Sequence, residues 1–153
     1  MKGTLAILGL LVTLTVAATA FAAPERASAC VPGVKKINGV TARTFCGPAK
    51  ATVHVNGKTI SYKGGECSKS SFGWSLNIGT VLLGNLQQKP EYLGIAGTAK
   101  AGPQTKASVA VVHAHKGLAI ATATVTLKAG LKAGTFSGKV FGEPTRVTGS
   151  FTC

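Results

Sequence analysis

Aspartate is absent from the 153 residues, and four glutamates make up the whole acidic complement. A carboxylate pair for hydrolysis could draw only on Glu25, Glu66, Glu91 and Glu143, and none of these sits at a diagnostic spacing. A G-x-S-x-G elbow, an H-E-x-x-H pair, a P-loop and a dinucleotide fingerprint are equally missing. Composition alone does not exclude a Ser-His-acid set, but no motif marks one. The expectation is a noncatalytic protein without a cofactor. Aromatic residues are only 6% of the chain, and no basic-aromatic stacking motif occurs, so dedicated nucleic-acid recognition is not expected either.

Against this acidic deficit stand 17 Lys and Arg, for a formal net charge of +13. Such a surface attracts polyanions: outside a bacterial cell these are anionic wall polymers, glycolipids and the membrane surface. The plainer reading is a solvated, soluble surface, because the bases are spread along the chain and only Lys35-Lys36 are adjacent. Lys128, Lys132 and Lys139, in the C-terminal stretch "LKAGLKAGTFSGK", are the candidate polyanion-binding residues.

Lys2 and the apolar run "TLAILGLLVTLTVAATAF" have the order of a secretory signal peptide. The run is near the lower length of a membrane span, which makes an uncleaved anchor the alternative. Two small-residue sites follow, Ala20-Phe21-Ala22 and Ala27-Ser28-Ala29; the first, directly behind the run, is preferred and gives a leader over residues 1–22, and the second stays open. Cleavage at the second would leave Cys30 at the N-terminus, where a bacterial lipoprotein carries its lipid. Glu25 and Arg26 interrupt the expected lipobox and Ala27 stands at its aliphatic position, which disfavours lipidation.

An even set of cysteines in an exported chain, Cys30, Cys46, Cys67 and Cys153, reads as two disulfides. Four cysteines allow three pairings, and sequence does not choose strictly between them. The adopted expectation is Cys30 with Cys46 and Cys67 with Cys153. No C-x-x-C spacing supports a zinc site.

Residues 23–50 read as an irregular N-terminal segment containing a small disulfide loop, and residues 51–153 as an antiparallel β domain. "ATVHV" and "KTISY" flank Asn56-Gly57, a dipeptide suited to the positive φ angles of a type I′ hairpin turn. Further strand candidates are "FGWSLNI", "EYLGIAGTA", "ASVAVVHAH", "LAIATATVTL", "TFSGKVF" and "RVTGSFTC". Between them "KGGE", "KAGPQTK", "HKGL", "LKAGLKAG" and "FGEPT" read as turns. The fold class is all-β, an antiparallel β-sandwich or strongly curved sheet stapled by disulfides. In a strand, His113 and His115 would share a face. A metal there would need a third ligand from His54, Glu66, Glu91 or Glu143, and no metal is expected. The apolar strands could also line a cavity for an acyl chain, although an ordinary core explains them as well.

"ATVHVNGKTISYKGGEC", "WSLNIG", "KPEYLGIAG" and "GTFSGKVFGEPTRVTGSFTC" resemble, in order, the mycobacterial small lipoprotein antigens, the LpqH-like group. The resemblance covers roughly residues 50–153. It implies a cell-envelope β-domain, antigenic and adhesive or lipid-associated, with Cys67 and Cys153 matching the family's disulfide. Cys30 would fall where the family has its lipidated cysteine, but Cys46 offers it a covalent partner, and the family's Ser/Thr-rich tether is absent. Together these readings predict an exported or envelope-located β-domain that contacts anionic polymers or surfaces. The alternative is a carrier of a lipid or other small apolar ligand.

Overall fold

The computed structural model describes residues 30–84 and 88–153. The leader and both cleavage sites lie outside them. Every regular element among the described residues is a strand: β1 (Gly33–Ile37), β2 (Val40–Phe45), β3 (Ala49–Val55), β4 (Lys58–Ser70), β5 (Gly73–Leu82), β6 (Tyr92–Gly97), β7 (Gly102–His113), β8 (Lys116–Leu127), β9 (Ala133–Val140) and β10 (Arg146–Thr152). From β3 onward each strand pairs antiparallel with its successor. β10 then returns to β3, matching Val147 with Val55 and Thr152 with Lys50. Eight strands therefore close into an up-and-down barrel, the limiting form of the strongly curved sheet that the spacing of the strands predicts.

Alternation along each strand decides which side chains fill the barrel. In β3, Ala49, Ala51, Val53 and Val55 are buried while Lys50 and His54 face water. The same period puts Leu76 and Ile78 of β5, Leu93 and Ile95 of β6, and Val109 and Val111 of β7 into one continuous core. Large and small residues interlock across β9–β10. Phe136 lies opposite Gly149 and Phe151 opposite Gly134, and a Cβ on either glycine would overlap the facing phenyl ring. Tyr62 crosses the interior and donates its hydroxyl to the carbonyl of Val112 at 2.9 Å. Its pKa is raised first by burial and then by Glu91. Side chains thus occupy the barrel axis, as an eight-stranded barrel permits.

Of the segment 23–50, the described residues 30–50 are more regular than the sequence reading expects. β1 and β2 form a hairpin turning at Asn38-Gly39, both at positive φ. β2 continues onto β5, matching Ala42 with Leu82 and Phe45 with Gly79. Phe45 packs against Tyr92 with ring centroids 6.2 Å apart, Arg43 lies over Phe45, and the Tyr92 hydroxyl donates to Asn77 Oδ1 at 2.7 Å. This external aromatic contact fastens the hairpin to the barrel wall.

Three turn assignments also change: of "KAGPQTK" only Lys100 and Ala101 precede β7, which begins at Gly102. "KGGE" is a β-bulge within β4, where the register with β3 shifts between Ala49 and Lys50 and Gly64 has φ +83°. Of "HKGL", Lys116, Gly117 and Leu118 belong to β8, and the chain reverses one step earlier at Ala114-His115, with φ 48° and 66°. Glu91 supports these unusual turn residues, since its carboxylate accepts the Ala114 N–H at 2.8 Å and contacts His113 Nδ1 at 3.0 Å.

Disulfides join Cys30 to Cys46 and Cys67 to Cys153. Both match the expected pairing, and two disulfides in one small domain mark an oxidising compartment. No helix among the described residues is long and apolar enough to cross a membrane.

Candidate functional site

The outer wall of β4, β3, β10, β9 and β8 carries two cross-strand rows of small polar side chains. Ser61, Thr52, Ser150, Thr135 and Thr126 align in one row, and Thr59, His54, Thr148, Ser137 and Thr124 in the next. They align because the buried alternation of these strands leaves every second residue outside, and the antiparallel register puts those residues abreast. Thr59 is engaged by His54 Nδ1 at 3.0 Å. Thr52, Ser61, Thr135 and Ser150 make no side-chain hydrogen bond among the described residues, so their hydroxyls remain free to donate and accept.

At the disulfide-bearing end of these rows Lys50 and Lys63 stand directly opposite one another on β3 and β4. Lys128, just beyond β8, joins them around an open groove of about 400 Å³ lined by Thr52, Ser61, Thr135 and Ser150. All three lysines are exposed. None of the three described carboxylates lines the groove. Glu66 pairs with Arg43 at 3.9 Å, Glu91 holds His113, and Glu143 accepts from Thr145 at 3.3 Å. The site is three cations around uncharged hydroxyls, able to hold the anionic groups of a polymer while hydrogen-bonding its backbone.

The three lysines singled out from sequence do not form one patch. Lys128 belongs to this groove; Lys132 lines a separate one of about 640 Å³ with Trp74, Leu131 and the Cys67–Cys153 pair. Lys139 stands opposite Arg146, and at about 3.3 Å per residue it is roughly 23 Å along β9 from Lys132. Closeness in sequence becomes distance when the intervening segment is a strand. Sequence reasoning missed Lys50 and Lys63, although the signal was present. A two-residue turn at Asn56-Gly57 pairs Val55 with Lys58, and counting outward in step pairs Lys50 with Lys63.

His113 and His115 do not share a face. β7 ends at His113, and His115 sits in the turn with Nδ1 at 3.1 Å from the Lys89 carbonyl. Among the described residues no three His, Cys, Asp or Glu side chains are grouped as metal ligands.

No family model, curated protein or solved structure matches the chain.

Proposed function

We propose that the protein is an exported, noncatalytic β-domain of the cell envelope or its surroundings that contacts anionic envelope polymers through the outer wall of its barrel. The observation that carries this reading is the groove of Lys50, Lys63 and Lys128 around unengaged hydroxyls, with no carboxylate in its lining. Two lysines directly opposite each other across a strand pair repel and cost stability. An anionic ligand bridging them relieves that repulsion. The disulfides and the basic surface support a place outside the cytoplasm, in line with the likeness to the LpqH-like antigens.

The filled barrel axis supports contact through the outer wall over carriage of an apolar ligand inside. Binding to an immobilised phosphate-bearing wall polymer across a salt series tests the reading. Wild type should bind at low ionic strength and weaken as salt rises. The triple variant Lys50→Gln, Lys63→Gln, Lys128→Gln should lose most of that binding, while Lys132→Gln with Lys139→Gln should retain it. Equal loss in the two variants would reduce the effect to net charge and remove the groove from the account.

A further inference from the structure

Phe72 is 99% exposed at the turn between β4 and β5. A ring of this size is ordinarily buried, and nothing in a two-residue turn requires an aromatic side chain. The tip is rigidly mounted. β3 begins opposite Gly65, so residues 66–70 of β4 run past the end of that neighbour. Three anchors hold the projecting hairpin. Cys67 is bonded to Cys153, the Trp74 indole N–H donates to the Leu131 carbonyl at 3.0 Å, and Trp74 packs on Phe151 with ring centroids 5.3 Å apart. Ser70 Oγ accepts the Phe72 N–H at 3.1 Å and fixes the turn itself.

Charge at the tip has one sign. Lys69 pairs with Trp74 immediately behind the turn, Lys106 lines a groove with Phe72, and Lys100 lies in the adjoining β6–β7 turn. Among the described residues the other exposed phenylalanine at a turn, Phe141 at 75%, lies between Lys139, which pairs with Arg146, and Glu143, so the charge around it is of both signs.

We propose that the β4–β5 tip docks on an anionic lipid bilayer, with the Phe72 ring entering the interface and Lys69, Lys100 and Lys106 meeting the headgroup phosphates. An aromatic ring beside lysines suits that boundary: the ring leaves water, and the long lysine stems let the ammonium groups stay in it. Because the tip is held by a disulfide and a buried tryptophan, insertion requires no ordering of the protein. This contact is distinct from the polymer groove on the barrel wall.

The test uses the folded, oxidised protein and vesicles of phosphatidylglycerol mixed with phosphatidylcholine, beside phosphatidylcholine alone. Wild type should partition onto the anionic vesicles. Phe72→Ser should weaken partitioning by about tenfold, the loss expected for leaving one such ring unburied. Phe141→Ser should not change it. Phe72→Trp should retain binding and add an emission component that shifts to the blue and is quenched by brominated lipid, relative to wild type with Trp74 alone. Combined with Phe72→Trp, the triple glutamine substitution of the groove should abolish polymer binding and keep this fluorescence response, so failure of one reading is separable from failure of the other. Unchanged partitioning of Phe72→Ser, or no lipid quenching of Phe72→Trp, would overturn the proposal. Phe72-dependent binding to a soluble anionic polysaccharide without vesicle binding would also overturn it, in favour of sugar stacking on the ring.

Discussion

Lys50 and Lys63 occupy matched positions on β3 and β4, so two ammonium-bearing side chains leave the same point of the barrel wall. Like charges directly opposite in an antiparallel pair are destabilising, and nothing in the groove lining neutralises them. Lys63→Glu should therefore raise stability by about 0.5 kcal/mol, read from urea midpoints at low salt, while weakening polymer binding. A variant that loses both stability and binding would contradict the assignment, because it would make Lys63 a structural residue. In wild type, added salt should narrow the stability difference, since screening acts on the same repulsion.

Gly57 has φ +70° beside Asn56 at +48°. Gly57→Val should cost about 2 kcal/mol, because a β-branched residue in this region of φ is strained. Gly57→Asn should recover much of that loss in the same denaturation measurement, since asparagine tolerates the left-handed conformation.

Oxidation locks two loops of unequal length, spanning 16 and 86 residues of sequence. Loop-closure entropy predicts about 3 kcal/mol from Cys30–Cys46 and about 4.6 kcal/mol from Cys67–Cys153. Paired serine variants, Cys30→Ser with Cys46→Ser and Cys67→Ser with Cys153→Ser, should rank in that order by denaturant midpoint. Intact mass before and after reduction should differ by four hydrogens. A lipid-sized mass on the chain would instead reinstate Cys30 as an anchor.

Alkaline pH should probe Tyr62. Its hydroxyl is neutral and hydrogen-bonded inside the barrel, and its pKa is raised above the ordinary 10.0. A group whose folded pKa is raised supplies stability in full below the unfolded value and loses it as pH climbs from about 10 toward the folded value. Wild-type stability should fall over that window. Tyr62→Phe should flatten the fall and cost about 1 kcal/mol at neutral pH for the lost hydrogen bond to Val112. An unchanged alkaline slope would show that another group titrates.

Much of the barrel was readable before its closure was. Alternation in "ATVHV" and "KTISY" with Asn56-Gly57 between them specifies a hairpin, its register and its buried face together. The β1–β2 hairpin carries the same dipeptide at Asn38-Gly39, yet it reads as irregular because β1 is almost wholly exposed and has no apolar alternation. Its fastening comes instead from Phe45 and Tyr92, residues far apart in sequence. Closure between β10 and β3 is long-range, and no local pattern announces it. His115 was misplaced because Ala114-His115 lacks the usual glycine or asparagine of a tight turn, and the carboxylate that compensates, Glu91, is brought in by another strand. The groove is legible only in its Lys50–Lys63 half, which follows from a local turn; Lys128 is brought alongside only by the long-range β3–β10 pairing, through β10 and β9.

The pairing of β10 with β3 gives assembly a direction in time. Each barrel strand from β4 to β9 finds its partners as soon as its sequence neighbours exist, but the first strand of the meander waits for the last. Until then the nascent sheet is an open ribbon with two unpaired edges, the state in which β proteins are most exposed to pairing with other chains. Cys153, which ends the sequence given, follows β10 directly, so its bond to Cys67 of β4 staples the strand that completes that seam. The disulfide is thus a covalent record that the ribbon has become a barrel. Loss of the last few residues would remove Cys153 and shorten β10 at once, and leave a chain rich in strands with a weakened seam.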